Sequence, residues 1–326
     1  MNRAAARSGS TSRLLPVLWA GLAVAVAVVA GVLADALSSS TFPLRIATEV
    51  TRSAMDVAGI ACVGMGLLSA LLRTTGVAER DHETLDRRLD RSIVVVGGVW
   101  VVVVLCDIAF RAADAYDVPV GALGGGELVH WATSLASGRG LVLTAACVLV
   151  VVGCATARLL RADAVPPRAA LVAALLGLLT PAVTGHAGTA SDHELAVIMS
   201  ALHVAAASAW VGGLGAVLVF LGGRRALLDP VLPRFSRLAT FCIVGVGVTG
   251  VLNALLRLPG LGALFTTGYG WLVVAKVVLL AVLAVLGNAA RVRLATGRLP
   301  VLRWAAVEVT VMAMAIGVAA ALTQTA

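Results

Sequence analysis

Charged residues are scarce in this chain. They make up 13% of its 326 residues, whereas hydrophobic residues make up 60% and the mean hydropathy is +0.99. This composition excludes a soluble domain of comparable length. Lysine is almost absent, because Lys276 is the single lysine among 25 basic residues. The net charge of +8 is therefore carried by arginine, and in a membrane protein such an excess reflects topology, not nucleic-acid binding.

Several motifs that carry chemistry in other proteins are also missing. The sequence has no nucleotide-binding loop and no nucleophile–base arrangement, so we expect no enzyme, although a histidine cluster can also be catalytic. Any ion movement would then be driven by a gradient or a partner. No methionine-rich segment occurs, since the chain has only six methionines. No CxxC pair occurs either, and we interpret the cysteines as small buried hydrophobic residues: Cys62, Cys106, Cys147, Cys154 and Cys242.

The hydrophobic residues form nine runs long enough to cross a bilayer as helices. The sequence thus predicts an all-α integral membrane protein, a polytopic bundle of about nine transmembrane helices. Ala34-Asp35-Ala36 resembles a signal-peptide cleavage site, and cleavage there would leave eight helices. The runs fall at about 14–35, 53–72, 92–111, 139–160, 169–185, 195–221, 237–256, 271–290 and 304–323.

Arginine placement predicts the orientation. With the N-terminus in the cytoplasm, 19 arginines fall in cytoplasmic segments and 5 in external ones. The positive-inside rule therefore predicts a cytoplasmic N-terminus and an external C-terminus. The charged segment 74–91 then lies inside and is expected to form a solvated helix or turn.

His203 is the leading candidate for a metal ligand. It lies about two turns into the sixth run, with Met199 four residues earlier and Trp210 seven residues later on the same helix face. An imidazole and a thioether on one face suit a cuprous ion. The alternative is a buried histidine that hydrogen-bonds a neighbouring helix, with Met199 as packing.

Three further histidines fall near the predicted outer face. His186 ends the fifth run and His193 opens the sixth, so both are candidate metal ligands. Ordinary interfacial polar residues with a helix cap are the alternative. His130 follows Glu127 and precedes Trp131 in a segment that predicts a short interfacial helix. That helix would either cover the site or anchor the chain at the interface.

Charged residues inside the predicted spans are also functional candidates, because an intramembrane charge is costly. Lys276 needs a partner, and Asp56 and Asp107 fall at a similar predicted depth. A structural ion pair, or snorkelling to the interface, is the alternative. Glu308 falls near the inner end of the last run, with Asn288 at a similar depth, and the two would line an exit or join helices by hydrogen bonds.

Several short segments between about 180 and 324 together resemble the copper resistance protein D (CopD) family of bacterial inner-membrane proteins. The resemblance divides the chain into N-terminal helices, 1–170, and a CopD-like membrane domain, 171–326, within one structural unit. The segments are Thr184-Gly185-His186-Ala187, His203, Trp210-Val211-Gly212-Gly213-Leu214, Arg234-Phe235-Ser236, Thr249-Gly250, Tyr269-Gly270, Lys276, Asn288, Arg291 and Glu308.

The resemblance implies copper handling at the bacterial cytoplasmic membrane. We expect copper ion, as Cu(I), to be taken from the external face through the His/Met site between helices. The expected partners are copper ion, membrane lipid, and a periplasmic or extracytoplasmic copper chaperone or oxidase assembly factor. Two alternatives remain open: a membrane protein with a single haem b held by two histidines, and a copper or oxidase assembly factor that does not transport.

Overall fold

A computed structural model describes residues 2–33, 42–75, 79–184, 193–257, 262–295 and 301–325. Within these ranges the chain folds into α-helices and one short 3₁₀ turn, Val120–Ala122. The helices are α1 (Asn2–Leu33), α2 (Phe42–Leu72), α3 (Glu79–Ala115), α4 (Gly125–Ser134), α5 (Ala136–Leu160), α6 (Pro167–Thr184), α7 (His193–Leu221), α8 (Arg225–Arg257), α9 (Ala263–Thr266), α10 (Gly268–Ala295) and α11 (Val301–Thr325).

Every hydrophobic run of the sequence lies mainly or wholly in one of these helices, which confirms the all-α prediction. Among the described residues, six helices are long and apolar enough to cross a membrane: α2, α3, α5, α7, α8 and α10. Shorter apolar stretches lie in α1, α6 and α11. The chain is therefore a multi-pass helical membrane protein, and its full span count and orientation stay predictions. A short helix, α4, is present where the sequence predicts an interfacial helix, and its place at the interface stays a prediction.

Two helices begin well before the sequence prediction placed them. α2 begins at Phe42 instead of about 53, and α8 begins at Arg225 instead of 237. Hydropathy discounts the charged residues in these first turns. In α2, however, Arg52 pairs with Asp56 one turn later, an arrangement that only a helix provides. α8 continues through Pro230 and Pro233, although each proline removes one backbone hydrogen bond.

Helix α2 lies at the centre of the bundle. It contacts α3, α7, α6 and α1, and its closest approach is to α7. A methyl group added at Gly64 would overlap the carbonyl oxygen of Gly212, and one added at Gly212 would overlap that of Ile60. Small residues at such crossings let membrane helices pack backbone against backbone.

The first and last helices pack on each other. Trp19 Nε1 on α1 donates a hydrogen bond to Thr310 Oγ1 on α11 at 3.1 Å, and Gly317 packs against the backbone at Ala23. Helix α6, which spans the predicted boundary at 170, packs on α5 and α2. The division into 1–170 and 171–326 stays a prediction.

A buried ion-pair network fixes the start of α3, and we call it the balanced cluster. Arg158 Nε on α5 donates to Asp90 Oδ2 at 3.0 Å, and its guanidinium also lies 3.6 Å from Asp86. Asp86 accepts from Ser69 on α2 at 2.8 Å and from Arg73, which directly follows α2, at 2.9 Å. Two carboxylates thus face two guanidinium groups. The segment 74–91 was expected to be a solvated helix or turn. Its Asp86 and Asp90 instead join α3 to α2 and α5.

The cysteines agree with their interpretation as small hydrophobic residues. All are free, Cys62 and Cys242 are buried, and the other three are half-buried.

Candidate functional site

His203 faces α8 from the middle of α7. Its Nδ1 lies 3.0 Å from Thr249 Oγ1, and the carbonyl of Val246 offers the ring a further acceptor. Gly250 leaves room for the imidazole, because a methyl group there would lie 3.4 Å from His203 Cε1. The ring is half-buried between two helices.

The hydroxyl group of Thr249 sets the tautomer of His203. Thr249 Oγ1 lies 2.6 Å from the carbonyl oxygen of Gly245, which can only accept a hydrogen bond. The hydroxyl proton is therefore donated to Gly245, and Oγ1 accepts from Nδ1–H of His203. In a neutral ring this leaves the lone pair on Nε2, which is the form that binds a metal.

Other polar and soft groups lie near this histidine. One turn earlier, Ser200 Oγ donates to Asn253 Oδ1 on α8 at 3.3 Å. Met199, half-buried, precedes His203 by four residues, so the two side chains lie on neighbouring positions of α7. The ammonium group of Lys276 on α10 acts electrostatically on His203. The imidazole thus contacts α8 and lies within electrostatic reach of Lys276 on α10.

The glycine-rich segment after His203 has a packing role. Trp210 is 3% exposed and belongs to the hydrophobic core. Gly212 forms the crossing with α2, and Gly213 packs against the ring of Phe235 on α8. These contacts hold α7 against both neighbours and so position His203.

Two of the four predicted histidine ligands, His130 and His203, have described side chains, and they lie on helices that pack against different neighbours. His130 is exposed on α4, where its Nδ1 contacts Ser134 Oγ at 3.3 Å, and α4 packs on α5 and α3. His203 instead faces α8. His186 and the side chain of His193 lie outside the described residues. Within the described part of the chain, no three His, Cys, Asp or Glu side chains group closely enough to hold a metal ion.

The two aspartates suggested as partners of Lys276 form ion pairs with arginines of their own helices. Asp107 is fully buried on α3, accepts from Thr51 Oγ1 at 2.6 Å and pairs with Arg111 Nε at 2.8 Å. Asp56 Oδ2 lies 3.5 Å from Arg52 Nε. Lys276 lies on α10, whose main contacts are α11, α9 and α8. These aspartates belong to a polar group between α2 and α3.

Two buried residues of this group did not stand out in the sequence. Glu49 is 3% exposed and Ser53 is 0% exposed. Among the described residues, neither Glu49 Oε1 nor Ser53 Oγ has a hydrogen-bond partner. The spacing of residues 49, 53 and 56 places all three on one helix face, which was the available signal. We call the group the carboxylate-rich cluster: Glu49, Thr51, Arg52, Ser53, Asp56, Asp107 and Arg111.

Glu308 is also buried, at 6% exposure on α11. A methyl group at Gly287 on α10 would lie 3.5 Å from its Oε1, so Glu308 faces α10. Asn288 lies beside Gly287 in a shallow groove between α8 and α10, together with Thr240 and Ile243. Glu308 thus lies at the contact of α10 with α11, and Asn288 lies in the groove between α10 and α8, both beside Gly287.

Comparison with known proteins gives two family matches along the chain. Residues 229–322 match the family described as copper resistance protein D, and residues 44–194 match its relative described as copper resistance protein D-like, N-terminal domain. No solved structure matches the chain significantly.

Two characterised proteins also match parts of the chain. A copper transport protein, CutJ of Bacillus subtilis, is 32% identical over 115 residues, which cover 34% of this chain and 21% of CutJ. The inner membrane protein YebZ of Escherichia coli is 38% identical over 95 residues, which cover 28% of this chain and 32% of YebZ. The matches therefore span about a third or less of either relative.

Proposed function

The chain belongs to the copper resistance protein D family, and from this premise we propose that it transports or delivers copper at the cytoplasmic membrane. The copper-related role follows from the family. The direction, the site and the destination are part of the proposal. The inner membrane as location is supported by the likeness to YebZ, and copper as cargo by the likeness to CutJ.

The observation that carries the proposal is the geometry of His203. Thr249 Oγ1 accepts a hydrogen bond from Nδ1–H of the ring, which leaves the lone pair of the neutral imidazole on Nε2. Neutral imidazole and thioether are ligands that suit Cu(I). We therefore assign Nε2 of His203 and the sulfur of Met199 as the ligands that hold copper between the helices.

A site with so few ligands fits transport better than storage. An ion that crosses a membrane must bind well enough to enter and weakly enough to leave. Lys276 adds positive charge near His203, which weakens binding of a cation further. Both features favour brief occupancy.

The complete route extends this site in both directions. In the proposed arrangement, nine helices span the membrane with the N-terminus in the cytoplasm. External copper would first meet His130, His186 and His193, then pass to His203 and Met199. Glu308 and Asn288 would lie near the inner exit. We also propose that the protein is not an enzyme and that a copper chaperone or an oxidase assembly factor exchanges copper with it.

Titration of the purified protein with Cu(I) tests the site. We expect His203→Ala to abolish intramembrane copper binding, and Thr249→Val to lower the affinity about 10- to 100-fold, because a lost partner of a ligating histidine has that effect. Thr240→Val is the matched control, since Thr240 lies exposed on the same helix and bonds only the carbonyl of Ser236. Equal affinity in all four proteins would reject the site. A Soret band lost in His203→Ala would indicate haem instead.

A further inference from the structure

The carboxylate-rich cluster holds more negative than positive charge. Among the described side chains, the three carboxylates of Glu49, Asp56 and Asp107 face the two guanidinium groups of Arg52 and Arg111. Asp107 and Glu49 are almost completely buried. An uncompensated charge in such a place is costly, and a buried carboxyl group normally binds a cation or takes up a proton.

Three atoms of the cluster have unmet bonding capacity among the described residues, and two of them, Glu49 Oε1 and Ser53 Oγ, are oxygens, while the third is Arg52 Nε. Asp107 accepts from Thr51 and pairs with Arg111, and Asp56 pairs with Arg52. Glu49 Oε1 has no hydrogen-bond partner among the described residues, and Ser53 Oγ, one turn along α2, has none there either. The excess charge and the unpartnered oxygen therefore coincide at Glu49.

A proton fits this position better than a metal ion. No three metal-ligating side chains group together in the described ranges, and carboxylate oxygens do not suit Cu(I). A protonated Glu49 loses its charge and gains an O–H donor. Ser53, four residues further on the same face of α2, can act as an acceptor for it. One added proton thus balances the cluster and supplies a donor.

Helix α2 links this position to the His203 site. Glu49 lies on α2 and His203 on α7, and the two helices touch backbone to backbone at Gly64 and Gly212. A shift of α2 when the cluster changes charge would therefore be transmitted to α7. The charged groups that act on Glu49 are Arg52 and Asp56 on its own helix, and Asp107 and Arg111 on α3.

We propose that Glu49 is an exchangeable proton site and that its proton is the counter-ion for copper movement. When one Cu(I) enters the His203 site, one proton leaves Glu49 Oε1 for the water on the side from which the copper came. When the copper leaves to the other side, water on that side returns a proton to the same oxygen. The charge inside the bundle then stays constant, which avoids a large electrostatic cost in a medium of low dielectric constant. The counter-ion role rests on the proposed copper transport, whereas the proton site does not.

Infrared spectroscopy of the purified, copper-free protein tests the proton site alone. We expect the C=O stretch of a protonated carboxyl group to titrate with pH in the wild type and to disappear in Glu49→Gln. Glu127→Gln is the matched control, because Glu127 is an exposed carboxylate that caps α4 and glutamine keeps that cap. Glu49→Asp keeps a titratable group and should shift the transition without removing it. A spectrum unchanged by Glu49→Gln at every pH would overturn the proposal.

Copper uptake into proteoliposomes that contain a pH-sensitive dye tests the counter-ion role. We expect proton movement opposite to copper in the wild type and in Glu127→Gln, and at least a tenfold loss of it in Glu49→Gln. Copper uptake without proton movement in the wild type, or with equal movement in Glu49→Gln, would overturn the counter-ion role while the proposed function survives. No uptake by any variant would overturn the proposed function and the counter-ion role together.

Discussion

Two buried groups of charge join α3 to its neighbours, one near each end of that helix. In the balanced cluster, Asp86 and Asp90 face Arg73 and Arg158, and none of their buried polar atoms lacks a partner. In the carboxylate-rich cluster, three carboxylates face two arginines, and Glu49 and Ser53 each keep a buried oxygen without a described partner. The same residue types thus produce one neutral network and one that carries excess charge.

The difference separates a structural role from an exchangeable one. A neutral, fully bonded network is not stabilised by binding another ion. Removing one partner of a buried ion pair in it destabilises the fold, because the other charge stays buried without a partner. A network with excess charge and an unmet acceptor can alternate between two charge states. We therefore expect mutations in the two clusters to change the free energy of unfolding by different amounts and in opposite directions.

Removal of Arg158 should have the largest effect. Its side chain is 4% exposed and binds both Asp86 and Asp90. Arg158→Ala leaves buried carboxylates without a partner and should destabilise the fold by about 3–5 kcal/mol, measured by unfolding in detergent. Arg161→Ala, three residues later and exposed, is the control. An equal loss of stability in Arg158→Ala and Arg161→Ala would show that the balanced cluster has no special structural role.

The same chemical change made in each cluster gives the sharpest contrast. Asp90→Asn removes the charge that Arg158 binds and should cost about 1.5–3 kcal/mol. Glu49→Gln removes an excess charge and should leave stability unchanged or raise it. The comparison requires both unfolding midpoints under one set of conditions. A loss in Glu49→Gln as large as in Asp90→Asn would show that both clusters are structural.

The helix crossing that links the carboxylate-rich cluster to His203 can be tested separately. Gly212→Ala places a methyl group against the backbone of α2 and should cost about 1–3 kcal/mol through overpacking. It should also weaken copper binding at His203. Gly215→Ala is the control, because a methyl group there meets nothing within 4 Å. Unaltered copper binding in Gly212→Ala would show that the crossing of α2 and α7 does not affect the His203 site.

The exposed member of the balanced cluster should matter least. The side chain of Arg73 is 50% exposed, and exposed ion pairs contribute about 0–1 kcal/mol. Arg73→Ala should therefore cost less than 1 kcal/mol and should cost still less at high salt. A loss close to that of Arg158→Ala would mean that the network acts as one unit.

The fold was largely predictable because hydropathy and helical length are local properties. The hydrophobic runs lie in helices, and the short helix with His130 is present. The starts of α2 and α8 were missed because hydropathy treats charged residues as loop, whereas burial and ion pairs keep Glu49 and Arg52 helical. A test of helical spacing at Glu49, Ser53 and Asp56 would have revealed this turn.

The candidate site was predictable only in part. His203 stood out as a histidine within a hydrophobic run, and Thr249 and Gly250 stood out through the family resemblance. Their contact is a property of how α7 packs on α8, which no local pattern specifies. For the same reason, the sequence suggested Asp56 and Asp107 as partners of Lys276, while packing gave them Arg52 and Arg111. Depth along a helix does not determine which neighbour a side chain faces.

The close contact between Gly64 and Gly212 is a point about which α2 and α7 can tilt relative to each other. His203 lies nine residues from Gly212, and Glu49 lies fifteen from Gly64, which gives lever arms of about 14 Å and about 22 Å. A tilt of about 10° around the crossing would move His203 by about 2 Å and Glu49 by about 4 Å, from the same helical rise. A metal–nitrogen bond is itself about 2 Å long. A rocking motion this small would therefore be enough to make or break copper coordination.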